Sequence, residues 1–244
     1  MPKLSIISHF YNHPEKVERQ IQHWNKINPA LLSSVEFILV DDCSEDVPEI
    51  AAGNINLRHF RITTDIAWNQ AGARNLGAFH ASGEWGLFFD IDQQLNLDTL
   101  ETLLLNLDRL DKTAMYYLRI KELVDIINNV NLSNHPNTFL VNMQQFRTRG
   151  MYDEDFAGHY GYEDLYMPRV WENSGGSRVL LNDFIFFEDL GFGTTNINRN
   201  ADRNNALAME KLRAGGKNSP GILRFEWKEI TIPEDATTHA TTHL

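Results

Sequence analysis

The segment formed by residues 68–93 leads from a helix of small residues into a strand that ends in two carboxylates. Its sequence, WNQAGARNLGAFHASGEWGLFFDIDQ, predicts a helix over residues 69–81 and a buried strand over residues 85–89. Alternate side chains of a strand face the same way, so Asp90 and Asp92 are expected to aim both carboxylates at one point. Because ligands bind beyond the carboxyl ends of strands in open α/β sheets, the segment predicts a binding edge.

Apolar runs alternate with helical patterns along the rest of the first half. Buried strands are predicted at residues 4–8, 35–40, 57–62 and 115–120, and helices over residues 14–27 and 99–110. Because strands that alternate with helices usually pair in parallel, this pattern predicts an α/β fold with a mostly parallel, doubly wound central sheet.

The second half has a less regular pattern. Strands are predicted at residues 138–143 and within 222–232, helices over 163–173 and 201–214, and a β-rich stretch over 179–187 interrupted at Asn182 and Asp183. No linker rich in Pro, Gly or Ser divides the chain. One domain is therefore predicted over residues 1–232, with one half at about 1–120 and the other at about 121–232, followed by a flexible tail over 233–244.

Composition and charge argue against several classes of function. Hydrophobic residues make up 42% of the 244 residues and charged residues 23%, which is typical of a globular protein with a sizeable core. A net charge of −11, from 33 acidic and 22 basic residues, argues against a sequence-independent grip on nucleic acid and against docking on an anionic membrane. No apolar run predicts an integral membrane segment, and Cys43 has no partner for an internal disulfide. A cytoplasmic protein is therefore expected.

Polar side chains follow the predicted strands of the first half. His9 and Tyr11 follow the first strand, Asp42 follows the second, and Asp90 and Asp92 follow the strand of the opening segment. Adjacent parallel strands end at the same edge, so these groups are expected to converge. An aromatic ring can stack on a base, and a carboxylate can accept a hydrogen bond from a base N–H. Two hard oxygen ligands at one point suit Mg²⁺ or Mn²⁺, which keeps positions open for substrate phosphates.

Two further features are open to more than one interpretation. Arg74, on the predicted helix, has a fork of donors that suits phosphate or ribose, although an arginine taken alone also suits a surface ion pair. Residues 151–168, MYDEDFAGHYGYEDLYMP, concentrate acids, tyrosines and glycines before a predicted helix. Glu163 and Asp164 at its start are either ordinary acids favoured by the helix dipole or include a general base that deprotonates an acceptor hydroxyl.

Four motifs occur in the order typical of family 2 glycosyltransferases. The segments SIISHFYN and VDDCS resemble the opening strand with its loop and the aspartate-bearing second strand of that family. The segment AGARNLGAFHASGEWGLFFDIDQ resembles its Arg-Asn-x-Gly helix and DxD strand. The segment GMYDEDFAGHYGYEDLYMPRV resembles its Glu-Asp acceptor-side motif, in the form shared with galactosyltransferase-like relatives. The resemblance covers about residues 3–189.

This resemblance implies a fold and an activity. The fold would be GT-A, with a Rossmann-like, mostly parallel central sheet flanked by helices and a smaller, mixed acceptor-side subregion. The activity would be metal-dependent transfer of a sugar from a nucleotide diphosphate sugar, with UDP as the expected nucleotide, to a glycan or other hydroxyl acceptor. The family usually inverts the anomeric centre in a single displacement.

On the donor side, the resemblance also implies roles for the matching residues. His9, Tyr11 and Asp42 would line the nucleoside pocket, with Asp42 reading the base edge and Arg74 near the ribose-phosphate. Asp90 and Asp92 would be the DxD pair, and of the two Asp92 is favoured as the direct ligand of Mn²⁺ or Mg²⁺.

On the acceptor side, Asp164 would be the catalytic base and Glu163 would hold the acceptor or the sugar. The sequence departs from the family pattern at Gln93, where a third acid is common. It also offers Glu188 and Asp189 where relatives often supply a histidine as a further metal ligand.

Two alternatives remain at the level of sequence. A nucleotidyltransferase also joins an α/β nucleotide pocket to acidic metal ligands, but the loop SHFYNHPEK after the first strand lacks the glycines of a typical phosphate loop. A catalytically silent module that only binds nucleotide sugars is disfavoured by the presence of Asp90, Asp92 and Asp164.

Overall fold

The computed structural model describes residues 1–122, 133–181, 186–189 and 198–233, and within these ranges ten strands form one sheet. The strands are β1 (Leu4–Phe10), β2 (Val35–Asp41), β3 (Leu57–Ile62), β4 (Trp85–Phe88), β5 (Gln93–Leu95), β6 (Ala114–Glu122), β7 (Ser133–Asn142), β8 (Ser177–Leu180), β9 (Phe186–Asp189) and β10 (Trp227–Ile230).

Helices connect and cover these strands. They are α1 (Pro14–Trp24), α2 (Pro29–Leu32), α3 (Gln70–His80), α4 (Leu97–Asn106), α5 (Met143–Thr148), α6 (Glu163–Asn173) and α7 (Asp202–Arg213), with 3₁₀ turns at Leu107–Arg109 and Glu154–Phe156. No helix in the described part of the chain is both long and apolar enough to cross a bilayer.

The sheet has a parallel centre and mixed flanks. Strands β3, β2, β1 and β4 lie side by side in parallel, and β10 pairs antiparallel with β3 at one edge. On the other side β7 pairs antiparallel with β4, followed by β6, β9 and β5, while β8 also pairs with β6. The predicted α/β class with a mostly parallel sheet is confirmed. The strand predicted at residues 115–120 is not a direct neighbour of β4, because β7 lies between them.

The central strands are apolar on both faces because helices cover both sides of the sheet. Every residue of β2 is buried, and alternate residues face opposite cores. Phe37 and Leu39 pack into the core that includes Trp24 of α1, whereas Ile38 and Val40 face α3.

The small residues of α3 let this helix lie directly on the sheet. A Cβ added to Gly77 would lie 2.5 Å from Cγ2 of Ile7 on β1, which is closer than real Cβ contacts. The small-residue pattern of the sequence therefore reflects a close approach of helix and strand.

Several elements differ from the prediction. The helix predicted over residues 14–27 ends at Trp24, and the last turn of the helix predicted over residues 99–110 is a 3₁₀ turn. The short elements α2, β5 and α5 were not predicted, because three to six residues carry little periodic signal. Strand β8 covers only the first two residues of the β-rich stretch predicted over 179–187. The interruption at Asn182 and Asp183 and the tail from residue 234 onward lie outside the described residues.

Candidate active site

The first part of the site lies where β1 and β2 end. The backbone N–H of Asp42 donates to the carbonyl of Phe10 at 2.9 Å, which holds the two strand ends together. The Asp42 carboxylate is buried and accepts a hydrogen bond from Nδ2 of Asn69 at 3.0 Å. Burial raises the pKa of Asp42 to about 7, against the lowering effect of that hydrogen bond. Tyr11 immediately follows the end of β1, and 45% of its surface is exposed.

The neighbouring acid, Asp41, has a structural role. It is fully buried, forms an ion pair with Arg61 and accepts a hydrogen bond from the backbone N–H of Ser44 at 2.7 Å. Within the described ranges, Asp41 at the end of β2 is therefore committed to an ion pair, whereas the next residue, Asp42, forms none.

The acidic couplet after β4 lies in a turn rather than in a strand. Strand β4 ends at Phe88, and the carbonyl of Asp90 accepts from the backbone N–H of Gln93 at 2.9 Å. Strand alternation therefore does not set the directions of the Asp90 and Asp92 side chains. Asp92 is partly buried and immediately precedes β5.

Arg74 forms an ion pair with the first acid of this couplet. Its Nη2 donates to Oδ1 of Asp90 at 2.5 Å, and Nδ2 of Asn137 donates to Oδ2 of Asp90 at 3.3 Å. Arg74 is 2% exposed, and its guanidinium carbon lies 5.5 Å from the centre of the Tyr152 ring. Within the described part of the chain, its Nε and Nη1 donate to no acceptor. A buried guanidinium with spare donors suits an anionic ligand such as a phosphate.

The acids at the start of α6 belong to the same electrostatic neighbourhood. Glu163 is buried, and burial together with the charge of Asp164 raises its pKa to about 7, despite the opposing effect of Arg74. Burial disfavours the charge of Arg74, but the acids around it, Asp90, Glu163 and Asp164, raise its pKa above the ordinary value. These four residues therefore form one cluster across α3, the turn after β4 and α6.

His9 borders this cluster as a neutral imidazole. Burial and the charge of Arg74 lower its pKa to about 3, against the raising effect of Asp90. The structure thus brings five of the predicted site residues together, His9, Arg74, Asp90, Glu163 and Asp164, while Asp42 is linked to α3 through Asn69.

A cavity of about 700 Å³ opens beside Asp164. Its lining includes the Tyr117 and Tyr162 rings and the exposed aliphatic side chains of Leu165, Leu180 and Met209. Asp164 therefore contacts both the charged cluster and a space large enough for a bound molecule.

The residues near Asp92 have donor chemistry that fits a divalent cation. Asp92 offers hard oxygen atoms two residues after Asp90, the partner of Arg74, and hard oxygen atoms are the ligands that Mg²⁺ and Mn²⁺ prefer. The register of β5 pairs Gln93 with Asp189 and Gln94 with Glu188, so the backbone of β9 runs beside the Asp92 turn. Among the described residues, no three His, Cys, Asp or Glu side chains form a ready metal cluster. The role predicted for Glu188 and Asp189 rests on side chains outside the description and stays a prediction.

The acidic run at residues 153–155 proves to be structural. Glu154 is buried and accepts hydrogen bonds from Nδ2 of Asn75 at 2.9 Å and from the backbone N–H of Leu223 at 2.8 Å. Nζ of Lys211 lies 2.9 Å from Asp153 and 2.8 Å from Asp155. These contacts join the loop to the C-terminal segment. Their partners lie more than fifty residues away along the chain, so no local sequence signal reveals them.

Comparison with protein families supplies the decisive observation. The sequence model described as Glycosyl transferase family 2 matches residues 5–165, which span every predicted site residue from His9 to Asp164. The chain belongs to glycosyl transferase family 2. The resemblance noted in the sequence is confirmed, and no curated protein matches the chain.

Solved structures of similar fold are glycosyltransferases. TarS from S. aureus, in complex with UDP-GlcNAc, is 15% identical with a TM-score of 0.61, over 79% of this chain and 62% of that chain. The mannosyltransferase PcManGT from Pyrobaculum calidifontis, with GDP-Man and Mn²⁺, is 16% identical with a TM-score of 0.62, over 90% and 66%. GalNAc-T7, with UDP, GalNAc and Mn²⁺, is 15% identical with a TM-score of 0.60, over 78% and 44%.

These likenesses confirm the GT-A fold of this family 2 chain. The chain spans less than two thirds of the length of each of the three structures.

Proposed function

We propose that this chain transfers a sugar from a nucleotide diphosphate sugar, with UDP as the expected nucleotide, to an acceptor hydroxyl. The observation that carries the proposal is the cluster of Arg74, Asp90, Glu163 and Asp164 beside the strand-end pocket of Asp42. It combines spare donors for a diphosphate with a carboxylate that faces a cavity. Membership of glycosyl transferase family 2 favours sugar transfer over nucleotidyl transfer.

The donor nucleoside would occupy the ends of β1 and β2. Asp42 would accept a hydrogen bond from the base edge, and the exposed Tyr11 ring would stack on the base. His9 is uncharged, so it would pack against the nucleoside without adding charge beside Arg74. The complexes of TarS with UDP-GlcNAc and of PcManGT with GDP-Man support a nucleotide diphosphate sugar as donor class.

The diphosphate would lie between Arg74 and Asp92. The spare Nε and Nη1 of Arg74 would donate to phosphate oxygens, while Asp90 holds the guanidinium in place. Asp92 would hold Mn²⁺ or Mg²⁺, because Arg74 and Asn137 already contact both oxygens of Asp90. A divalent cation bound here would supply Lewis-acid stabilisation of the departing nucleotide diphosphate.

The acceptor would enter from the cavity beside Asp164. The acceptor oxygen forms a bond to the anomeric carbon as the bond from that carbon to the diphosphate oxygen breaks, and Asp164 takes the hydroxyl proton. Attack from the side opposite the diphosphate inverts the anomeric centre. Glu163, with its pKa near 7, would hold the acceptor or the sugar by a hydrogen bond.

The test is a screen of nucleotide diphosphate sugars with and without Mn²⁺, followed by an assay for release of the nucleotide diphosphate. We expect one donor class to raise the melting temperature only with Mn²⁺, because a ligand that binds the native state stabilises it. The same donor should then be turned over slowly by water and faster with an acceptor.

Two other outcomes separate the alternatives. Stabilisation by a donor without any turnover would favour a silent module that only binds nucleotide sugars. Release of pyrophosphate from a nucleoside triphosphate and a sugar phosphate would favour a nucleotidyltransferase.

A further inference from the structure

Asn204 holds the loop that precedes the acids at the start of α6. It lies in the first turn of α7 and is fully buried. Its Nδ2 donates to the carbonyl oxygens of Phe156 at 3.0 Å, His159 at 2.9 Å and Gly161 at 2.8 Å. The two hydrogens of this one amide are thus shared among three carbonyls along residues 156–161, so a single buried side chain contacts the loop at three places.

Arg203 fixes the orientation of this amide. Nη1 of Arg203 donates to Oδ1 of Asn204 at 2.7 Å and to the carbonyl of Asp155 at 2.7 Å. Because the oxygen end of the amide is taken by Arg203, its nitrogen end faces the loop. The donor direction is therefore set by a neighbour on the same helix.

The loop ends in a backbone conformation that needs support. Gly161 and Tyr162 have φ values of +79° and +73°, and Tyr162 immediately precedes Glu163. The left-handed region is costly for a bulky side chain, so it persists only where the surroundings hold it. The bond from Asn204 to the carbonyl of Gly161 acts at the residue before Tyr162, and the Tyr162 ring packs against the cluster that includes Phe156.

The other side of the loop contacts the donor half. The N–H of Gly158 donates to the carbonyl of Ala67 at 2.8 Å, and the rings of Tyr160 and Trp68 lie 4.8 Å apart. Trp68 immediately precedes Asn69, which donates to Asp42. The loop that Asn204 holds therefore also contacts the segment that leads to Asp42.

We propose that Asn204 is a positioning residue that sets the place of Glu163 and Asp164 relative to the donor. This proposal rests on the proposed function for its catalytic consequence. The family match ends at residue 165, so Asn204 belongs to a part of the chain to which that match assigns no role. The C-terminal segment would thus complete the catalytic site through hydrogen bonds rather than through contact with substrate.

The test compares Asn204→Ala with Asn218→Ala, a matched control. Nδ2 of Asn218 donates to the carbonyls of Gly150 at 2.9 Å and Met151 at 3.1 Å. The Asn218→Ala variant therefore removes the same kind of hydrogen bond, from a side-chain amide to backbone carbonyls, at an earlier point of the chain. For Asn204→Ala we expect kcat for transfer to fall about tenfold to a hundredfold, because small misplacements of reacting groups have effects of that size. UDP affinity by calorimetry should stay within about twofold of the wild type. Asn218→Ala should keep near-normal kcat.

Amide hydrogen exchange provides a readout that needs no activity. Protection of residues 157–164 should fall in Asn204→Ala and persist in Asn218→Ala, and Asn204→Ser, which keeps a donor, should recover part of it. Equal exchange in the two alanine variants, or an equal loss of kcat, would overturn the positioning role. A wild-type protein without transfer or donor turnover would contradict the proposed function instead, and the exchange pattern would then still decide whether Asn204 holds the loop.

Discussion

The guanidinium of Arg74 on α3 lies 2.5 Å from the carboxylate of Asp90 in the turn after β4. This ion pair balances the charge of Asp90, so the couplet of Asp90 and Asp92 does not depend on a cation alone to limit its repulsion. It also separates the tasks of the two acids. Asp90 orients Arg74, the proposed phosphate ligand, and Asp92 is the proposed ligand for the metal.

Replacement of Arg74 should affect stability and donor binding differently according to the substitute. Arg74→Met removes the buried guanidinium that pairs with Asp90, and we expect the free energy of unfolding to fall by about 3 kcal/mol. Arg74→Lys keeps the charge but loses the fork of donors, so it should lower stability less while still weakening UDP affinity about tenfold. Urea denaturation and calorimetry measure the two effects. Equal UDP affinity for Arg74→Lys and the wild type would exclude the phosphate contact.

Nucleotide affinity should depend on the ionisation of Asp42. Its pKa is raised to about 7 by burial, so the carboxylate proposed to accept from the base is present mainly above that pH. We expect the affinity for UDP at fixed Mn²⁺ to rise about tenfold between pH 6 and pH 8 through this group. Asp42→Asn keeps the titration of the diphosphate itself and serves as control. If the variant shows the same pH dependence as the wild type, Asp42 does not read the base.

Stability should report the burial of Glu163. Its pKa is about 7 in the folded chain and near 4.5 when unfolded, so the folded state binds the proton more tightly. The contribution of this group to the free energy of unfolding is fully present below about pH 4.5 and is lost as the pH rises through about 7. Glu163→Gln removes this loss, so the variant should gain roughly 1–3 kcal/mol over the wild type between pH 4.5 and pH 8. A difference in unfolding free energy that is constant with pH would contradict the shift.

Much of the site was predictable because its residues follow apolar strands. The runs that became β1, β2 and β4 specify the parallel centre, and they deliver Asp42 and Asp90 to their carboxyl ends. Local sequence is sufficient to predict these positions, because a short apolar run indicates a buried strand and the polar residues directly after it mark the strand end.

Contacts between distant parts of the chain were not predictable. The ion pair of Arg74 with Asp90 and the ion pairs of Lys211 with Asp153 and Asp155 depend on the tertiary fold. Strand alternation also fails for Asp90 and Asp92, because they lie in a turn closed by the N–H of Gln93. Asn204 carries no motif at all, because its partners are backbone carbonyls more than forty residues away.

Loss of the Asp164 carboxylate should stop transfer without weakening donor binding. Asp164→Asn cannot take the acceptor proton, so we expect kcat to fall about a hundredfold or more while UDP affinity is retained. Asp202→Asn is the control, because Asp202 is an acid in the first turn of α7 as the partly buried Asp164 is in the first turn of α6, but Asp202 is exposed. Initial rates with saturating donor distinguish the two variants. A near-normal rate for Asp164→Asn would remove this residue as the base.

Calorimetric titration of UDP with and without Mn²⁺ into the wild type, Asp92→Ala and Asp98→Ala tests whether a cation at the sheet edge holds the diphosphate. Asp98 is an exposed acid in the first turn of α4, six residues farther along the chain, and serves as control. We expect Mn²⁺ to strengthen UDP binding to the wild type and to Asp98→Ala by at least about tenfold, and to have no such effect on Asp92→Ala. The same Mn²⁺-dependent gain in affinity in Asp92→Ala would show that the diphosphate is not held through a metal at this residue.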